Sequence, residues 1–258
     1  METKGRAMES ENGKQYHVQL QKGDVGKYVL LPGDPGRCEP ISRLFEDPKL
    51  VASNREYVTY TGFLDGVKVS VTSTGIGCPS AAIALEELVQ VGADTFIRVG
   101  TSGAIQKDIK SGELAIITGA IRDEGTSRHY MPIEFPAIAD IDLVLALQRA
   151  AKKTGAVTRT GITQSKDSFY GQHEPERMGV ANELLNRWRA WEIGGALCSE
   201  MEASALFIIA SMLRVRAGGI MAMHGVDPMP PIDNLLNTAV QGLREIIAVD
   251  KAAGKDVG

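Results

Sequence analysis

The sequence predicts a single α/β domain with one mixed β-sheet, and three observations support this fold class. Apolar runs of strand length alternate along the chain with longer segments whose apolar residues recur at helical spacing. The 258 residues are enough to bury one substantial core. No internal repeat, low-complexity tract or shift in composition marks a second domain.

The predicted strands are short apolar or alternating runs that stop at glycine, proline or polar residues. They cover residues 28–31, 57–63, 67–72, 95–99, 113–121, 156–164 and 217–223. The predicted helices fill several of the intervals between them. They cover residues 80–91, 141–153, 201–213 and 234–251. We expect the folded domain to span residues 16–251, with a flexible leader at 1–15 and a flexible tail at 252–258.

The composition argues against several classes of function. The net charge is -4 and no basic block is present, so a bound phosphate is expected to belong to a small molecule rather than to a nucleic acid. The three cysteines lack paired spacing, which favours reduced thiols in the cytoplasm and argues against a zinc site. The longest apolar stretch, residues 203–213, is too short to span a bilayer, so we expect no membrane attachment.

The turn at residues 31–37 follows the first predicted strand and reads LPGDPGR. Its two prolines stiffen the backbone, and Gly33 lets the backbone approach a ligand closely. Arg37 ends the turn with a planar, permanently charged fork that suits phosphate. The turn is therefore a candidate anion site, and a plain strand-ending turn with a solvent-facing arginine is the alternative.

Two further arginines stand beside predicted strands. Arg55 precedes the alternating run at 57–63, and Arg98 interrupts an apolar strand near its carboxyl end, where α/β sheets commonly bind ligands. A buried guanidinium requires an anionic partner. Arg98 therefore predicts either a ligand oxyanion or a structural ion pair with Glu86 or Glu87.

Residues 71–80 join a predicted strand to a predicted helix and read VTSTGIGCPS. The glycines resemble those of a phosphate cradle. The segment lacks both the Gly-Lys-Ser/Thr ending of a nucleotide-binding loop and the spacing of a dinucleotide fingerprint, so neither ATP nor NAD is favoured. Close packing of the strand against the helix is the alternative interpretation.

Glu200 and Glu202 flank Met201 at the start of an apolar helix. Carboxylates at this position can simply complement the helix dipole. Because residues 203–213 are apolar nearly all round, we expect a glutamate to enter a cleft instead. An ionised carboxylate accepts both donors of a vicinal diol, as in a sugar, and the methionine offers an adaptable apolar wall.

Residues 164–173 read QSKDSFYGQH and follow a predicted strand. The amide of Gln172 donates and accepts at once, which matches the imide edge of a pyrimidine, and Phe169 offers a ring face for packing. Lys166 adds a cation. A polar surface loop is the alternative interpretation of this segment.

In this order, the segments resemble the uridine phosphorylase branch of the nucleoside phosphorylase family over residues 16–221. The matching segments are 33–37, 55–56, 98–101, 169–172 and 200–202. His17 matches the histidine that the family lends across a dimer interface. The resemblance implies a central mixed, partly barrel-like β-sheet flanked by helices. It also implies reversible phosphorolysis, in which phosphate attacks C1′ of uridine and releases uracil and ribose 1-phosphate.

The resemblance implies a role for each matched residue. The residues expected to bind phosphate are Gly33, Arg37, Arg98, Gly100 and Thr101, with Arg55 reaching in from the neighbouring subunit. Those expected to bind ribose are Glu200, Met201 and Glu202, with His17 of the neighbour. Those expected to bind the base are Phe169, Gln172, Lys166 and Arg177. The catalytic set is Arg98, Thr101, Glu202 and Lys166.

The family pattern needs no covalent nucleophile, metal or organic cofactor, because inorganic phosphate is the co-substrate. Some relatives hold a monovalent cation, which here would lie near Glu56 and Ser73. The resemblance further implies a homo-oligomer with shared active sites, a hexamer built from dimers. Uridine, deoxyuridine and thymidine all remain candidate substrates.

Cys78 stands where the family usually has glycine, and two larger departures from the family pattern concern the base site. The arginine that closely follows the glutamine in many members is displaced to Arg177 here. After Met221, residues 222–231 read AMHGVDPMPP instead of an Asn-Gln-x-Arg-like segment and mobile loop. Three alternatives therefore stay open. They are a purine nucleoside phosphorylase with Asp227 near N7, a nucleosidase that uses water, and a nucleoside-binding protein with impaired catalysis.

Overall fold

Ten strands form one mixed sheet in the computed structural model, which describes residues 13–258. In chain order they are β1 (Tyr28–Pro32), β2 (Glu46–Asn54), β3 (Tyr57–Leu64), β4 (Val67–Thr72), β5 (Thr95–Ala104), β6 (Leu114–Asp123), β7 (Ala137–Ile138), β8 (Thr158–Lys166), β9 (Cys198–Glu200) and β10 (Arg216–His224). The predicted strands are all confirmed. β5 continues to Ala104 instead of ending at residue 99.

The helices lie between these strands and at the end of the chain. They are α1 (Cys38–Ser42), α2 (Cys78–Gln90), α3 (Ile141–Thr154), α4 (Phe169–His173), α5 (Ala181–Ile193), α6 (Ala203–Leu213) and α7 (Asp233–Ala252). Local chemistry fixes several ends. The Asp140 side chain accepts the Leu143 N–H at 3.2 Å and starts α3, and Gly155 ends it in the left-handed region with φ of 71°.

Part of the sheet closes into a barrel. β10 pairs in parallel with β5 and in antiparallel with β6, and the path from β6 through β8 and β9 returns to β5. The strands β1, β4, β3 and β2 continue from β5 as an open wing. The expected mixed, partly barrel-like sheet flanked by helices is therefore confirmed.

The two faces of the central strands pack on different helices. On β5, Phe96 belongs to the apolar cluster that includes α2 and α6, and Ile97 belongs to the cluster that includes α3 and α7. This alternation follows from the two-residue period of a strand, and burial on both faces explains why these strands are nearly continuous apolar runs. Arg98, two residues after Phe96, points to the α2 and α6 side.

Six elements were not predicted from the sequence, namely β2, β7, β9, α1, α4 and α5. The reasons are clearest for β2, β9 and α5. β2 contains Pro48 and several charged residues, and its pairing with β3 shifts register twice. β9 has only three residues. α5 has no buried residue, so its apolar pattern is weak.

Residues 1–12 of the predicted leader lie outside the described residues. Next to them, Gln15 is buried and exchanges backbone hydrogen bonds with Leu20 and Gln19. In the predicted tail, Lys255 pairs with Asp250 and Asp256 pairs with Lys27. The domain bounds at 16 and 251 stay a prediction. Within residues 13–258, no helix combines the length and apolar character that crossing a bilayer requires.

Candidate functional site

The candidate site is centred on Arg98, a buried arginine on β5 that lies beside the end of β1. Arg98 pairs in register with Leu31 of β1 and Gly219 of β10, and its side chain is only 5% exposed. The chain leaves room for its guanidinium at two glycines. A Cβ added at Gly33 would lie 3.3 Å from Nη1, and one added at Gly100 would lie 3.2 Å from Nη2.

Two buried carboxylates face this guanidinium. Glu202 accepts a hydrogen bond from Arg98 Nη2, and an oxygen of Glu200 lies 3.7 Å from Nε. Among the described residues, Arg98 Nε has no hydrogen-bond partner. The alternative of an ion pair with Glu86 or Glu87 is wrong, because the ion pairs of Arg98 are with Glu200 and Glu202. Glu87 instead binds the backbone and ring of His17. Arg98 is thus placed among carboxylates and still has a free donor.

Glu200 and Glu202 have different surroundings. Glu200 accepts the backbone N–H groups of Glu202 and Ala203 at 2.8 and 3.0 Å, together with the Ser165 hydroxyl, so it caps α6. Burial raises the pKa of Glu200, and the charge of Glu202 raises it further, while Arg98 opposes both. Glu202 is therefore the carboxylate better placed to meet a ligand.

The glycine-rich connection between β4 and α2 positions Glu202. Gly77 immediately precedes α2 as its N-cap residue and donates its N–H to Glu202 at 2.6 Å. Its φ of 96° lies in the left-handed region, which favours glycine. The sequence offered this segment as a phosphate cradle or as close strand–helix packing. The structure instead joins it to the predicted ribose-binding carboxylate.

Arg37 lies beside the same cluster. Its Nη2 donates to Thr101 Oγ1 at 3.4 Å, and its Nε is 3.9 Å from Asp34, so both contacts are long. Burial lowers the pKa of the Arg37 guanidinium, Asp34 raises it, and Arg98 lowers it again. Two guanidiniums that affect each other, with only long contacts on one of them, are typical of a site that an oxyanion completes.

The residues predicted to bind a base meet around Ser199 of β9. Its hydroxyl lies 2.7 Å from Lys166 Nζ and 2.6 Å from Gln172 Oε1. Burial lowers the pKa of Lys166, while Glu200 and Glu202 oppose that change. Ser199 was not among the predicted site residues, because a lone serine in a sequence carries no chemical signal.

Two other residues of the predicted base site lie at the surface. Phe169 begins α4, is half exposed and packs on His173 with ring centroids 4.3 Å apart. Arg177 forms an ion pair with Glu174 and lies 5.4 Å over the Tyr170 ring. Of the two cations considered for the base, the structure joins Lys166 to Gln172, and it gives Arg177 other partners.

The two residues expected to serve a neighbouring subunit lie together around Tyr16. The Arg55 guanidinium is 6.0 Å from the Tyr16 ring, and the His17 ring stacks edge-on to it at 4.8 Å. Arg55 lies at the β2–β3 turn with φ of 55°, an uncommon backbone for a residue other than glycine. Within residues 13–258, no hydrogen bond or ion pair joins Arg55 or His17 to Arg98.

The atypical segment at 222–231 packs against the loop before β6. Ser111 donates to the Asp227 carbonyl at 2.6 Å and accepts the Gly225 N–H at 2.8 Å. Pro230 approaches Gly112. The side chain of Asp227 is exposed, so the structure gives it no buried partner for base chemistry.

The proposed monovalent cation region is also occupied by protein contacts. Ser73 donates to the Glu56 carbonyl at 2.6 Å, and Ser80 donates to the Glu56 carboxylate at 2.9 Å. Within the described part of the chain, no group of three or more His, Cys, Asp or Glu side chains has the geometry to hold a metal. A cation at Glu56 and Ser73 stays a prediction.

Comparisons with known proteins give consistent matches. A family model described as the phosphorylase superfamily matches residues 27–253. The chain is similar to the uridine phosphorylase of Treponema pallidum, with 47% identity over 246 residues, which cover 92% of this chain and 95% of that protein. The uridine phosphorylase of Thermococcus kodakarensis is 48% identical over 220 residues, covering 83% of this chain and 78% of that protein. The guanosine phosphorylase of Halorubrum lacusprofundi is 41% identical over 212 residues, covering 82% and 83%.

Proposed function

This chain belongs to the phosphorylase superfamily, and on that premise we propose that it is a pentosyltransferase that cleaves uridine with inorganic phosphate. The products are uracil and ribose 1-phosphate, and the reaction is reversible. The observation that carries the proposal is the buried Arg98, which contacts the predicted diol-binding Glu202 and keeps a free Nε donor.

Phosphate binding is the first step. Arg98 and Arg37 would donate to the phosphate oxygens, with the Thr101 hydroxyl between them and with Gly33 and Gly100 leaving space. The long contacts of Arg37 support this step. Its Nη2 to Thr101 and Nε to Asp34 contacts are weak, so contacts to a charged ligand can replace them. The role of the protein here is to hold a nucleophile beneath C1′.

Glu202 would hold the ribose beside that phosphate. Its carboxylate already lies between Arg98 and Gly77, so its position is fixed before a nucleoside binds. Met201 would supply an apolar wall, and Glu200 would support the site as the cap of α6. A prearranged acceptor next to the anion site lowers the cost of orienting both substrates.

Departure of the base completes the reaction. A bond forms between a phosphate oxygen and C1′, and the C1′–N1 bond breaks with its electron pair moving to uracil. Lys166 and Gln172 would donate to or accept from the edge of the uracil anion, which takes a proton from solvent on release. The buried Lys166 suits this role, since a cation stabilises developing negative charge best where water is excluded.

Arg55 and His17 would complete the site of a second copy of the chain. Arg55 and His17 both contact Tyr16, and within residues 13–258 neither has a hydrogen bond or ion pair to Arg98. This arrangement supports a shared site in a homo-oligomer, and we propose a hexamer built from dimers. Exposure of Arg55 at a hairpin turn fits a side chain that reaches a partner. Activity should then fall on dilution below the dissociation constant of the dimer.

A purine nucleoside is the second candidate substrate, and the similarity to a guanosine phosphorylase favours it. A purine reaction is aided by an acid at N7, and the exposed Asp227 has no contact that places it there. The arginine pair argues against a nucleosidase, which uses water and has no need of a phosphate site. A binding protein without turnover would need only the base and ribose contacts.

The test is to incubate the protein with uridine or guanosine, with and without phosphate, and to measure the free base. We expect uracil only when phosphate is present. Uracil without phosphate would indicate a nucleosidase, guanine alone a purine enzyme, and bound uridine without release a binding protein. Arg98→Ala should sharply raise the KM for phosphate. Arg159→Ala is the matched control, because Arg159 forms ion pairs with Asp108 and Glu113 instead.

A further inference from the structure

The Ser199 hydroxyl lies close to two acceptor oxygens, although it has a single proton to donate. It accepts from Lys166 Nζ at 2.7 Å, and the side-chain oxygens of Gln164 and Gln172 lie at 2.5 and 2.6 Å. A hydroxyl carries one proton, so it can donate to only one of the two amide oxygens. The amide oxygen that receives no proton would be repelled by the Ser199 oxygen, unless that amide turns its N–H group toward Ser199.

Gln164 is the glutamine whose orientation is fixed. Its Nε2 donates to Asp123 at 2.7 Å, and Asp123 is held in turn by Arg187 at 2.7 Å. Gln164 must therefore keep its oxygen toward Ser199 and accept the hydrogen bond from the serine hydroxyl. Within residues 13–258, the Gln172 amide has no second hydrogen-bond partner besides Ser199. Turning this amide over exchanges its oxygen and nitrogen within the same volume.

We infer that Ser199 is a positioning residue that fixes the amide of Gln172 with its N–H toward Ser199 and its oxygen toward the ligand. This inference rests on the proposed function and deepens it by naming the residue that orients the amide predicted to contact the base. The site then presents one acceptor, Gln172 Oε1, beside one donor, Lys166 Nζ.

That pair selects a base edge with an N–H next to a carbonyl. Uracil and thymine present such an edge at N3, and guanine presents one at N1. Cytosine presents an unprotonated N3 beside an amino group, so acceptor would face acceptor and donor would face donor. A site built on buried hydrogen bonds rejects such a mismatch strongly.

Local packing supports this role. β9 pairs with both β5 and β8, which sets Ser199 opposite Gly103 on one side and Gln164 on the other. The amide atom of Gln172 that points away from Ser199 lies 3.7 Å from the position that a Cβ would take at Gly103. That distance is ordinary van der Waals contact, so residue 103 borders the Gln172 amide without crowding it.

The test is the ratio of the dissociation constants for cytosine and uracil, measured by calorimetry in the presence of phosphate. The wild type should bind uracil more tightly by about 10-fold or more, the cost of a buried mismatched pair. Ser199→Ala frees the Gln172 amide to rotate, and the ratio should approach one. Gln164→Leu releases the serine proton to Gln172, and the ratio should fall in the same direction. Ser199→Thr keeps the hydroxyl and should keep the ratio.

Ser70→Ala is the control, because Ser70 is a buried strand serine whose hydroxyl bonds Gly26 and Thr61. It should leave the ratio unchanged. An unchanged ratio in both Ser199→Ala and Gln164→Leu would overturn the inference. Because binding of the free bases does not need turnover, this outcome is separate from failure of the proposed function, which would appear as absent uridine cleavage by the wild type.

Discussion

Two arginines on neighbouring strands of the same sheet differ in how many of their guanidinium nitrogens form hydrogen bonds. Arg216 begins β10 and donates through Nε and both terminal nitrogens to Thr95 and Asp250. Arg98 lies farther along β5, deeper in the protein, and its Nε has no partner among the described residues. The Arg98 side chain is 5% exposed and that of Arg216 is 19% exposed, yet it is the more buried guanidinium that has a nitrogen without a hydrogen-bond partner.

The saturated arginine belongs to a structural cluster. Tyr28 and Lys255 also donate to Asp250, both at 2.9 Å, so the carboxylate joins β1, β10 and the end of α7. Each of the three guanidinium nitrogens of Arg216 thus has a hydrogen-bond partner. At Arg98, a free donor, a nearby second arginine and two adjacent glycines leave both charge and space. In this fold, incomplete pairing of a buried cation distinguishes the candidate site from the scaffold.

The largest effect is expected from Arg98→Lys. The ammonium keeps the charge that Glu200 and Glu202 require, but it loses the planar fork that would hold phosphate. We expect kcat/KM for phosphate to fall by about 10²–10³-fold, with a melting temperature close to that of the wild type. Steady-state kinetics and thermal unfolding measure the two. A lower melting temperature with unchanged kinetics would reverse the roles assigned to the two arginines.

Arg216→Ala should show the opposite behaviour. It leaves the buried Asp250 carboxylate with Tyr28 and Lys255 only, so we expect the free energy of unfolding to fall by about 2–4 kcal/mol. The kcat/KM for phosphate should stay near the wild-type value below the unfolding transition. Urea unfolding and kinetics on the same preparation check this. A selective loss of phosphate affinity would contradict the structural assignment.

Acid should weaken the saturated cluster. Burial alone raises the pKa of Asp250, but hydrogen bonds from Arg216, Lys255 and Tyr28 outweigh it and lower the pKa to about 2. Because the folded-state pKa lies below the ordinary value of 3.8, ionised Asp250 stabilises the folded protein above pH 3.8. This contribution is lost as the pH falls toward 2. We expect the stability gap between wild type and Asp250→Asn to shrink by about 2 kcal/mol over that window. A gap that is independent of pH would contradict this.

The smallest effect is expected from Gly33→Ala. The new methyl group would lie 3.2 Å from the Gly75 carbonyl and 3.3 Å from Arg98 Nη1, so Arg98 must shift by a few tenths of an ångström. Misplacement of about 1 Å can cost 10²-fold in rate, and this smaller shift should raise the KM for phosphate several-fold. Gly179→Ala has open space around its Cβ position and should change nothing.

The sequence predicted the central strands and four long helices, because burial on one or two faces leaves a clear apolar period at those segments. Closure of the barrel was not readable from periodicity, since pairing between β10 and β5 joins segments more than a hundred residues apart. The same distance in sequence hid the partners of Arg98. Glu86 and Glu87 were nearer in the chain, but Glu202 is the residue that contacts it.

The site was readable where residue type alone signals chemistry, as for arginines beside strands and paired glutamates before a helix. Ser199 was not, because its importance comes from three neighbours that lie on β8 and α4. Gly77 was predicted only as part of a phosphate cradle or of close strand–helix packing, and its bond to Glu202 required the fold. Hydrogen-bond networks among common polar residues are set by tertiary packing, which no local pattern records.

The three-residue strand β9 has a consequence for how this protein can change. It carries Ser199 toward the predicted base site and ends at Glu200, which fixes α6 and the predicted ribose site. The predicted phosphate site is built on β1 and β5 instead. The residues predicted to set nucleoside preference and the strands predicted to hold phosphate are therefore different parts of the sheet. A laboratory selection for new nucleosides can concentrate its mutations at residues 164, 172 and 199 while the arginines that would activate phosphate stay as they are.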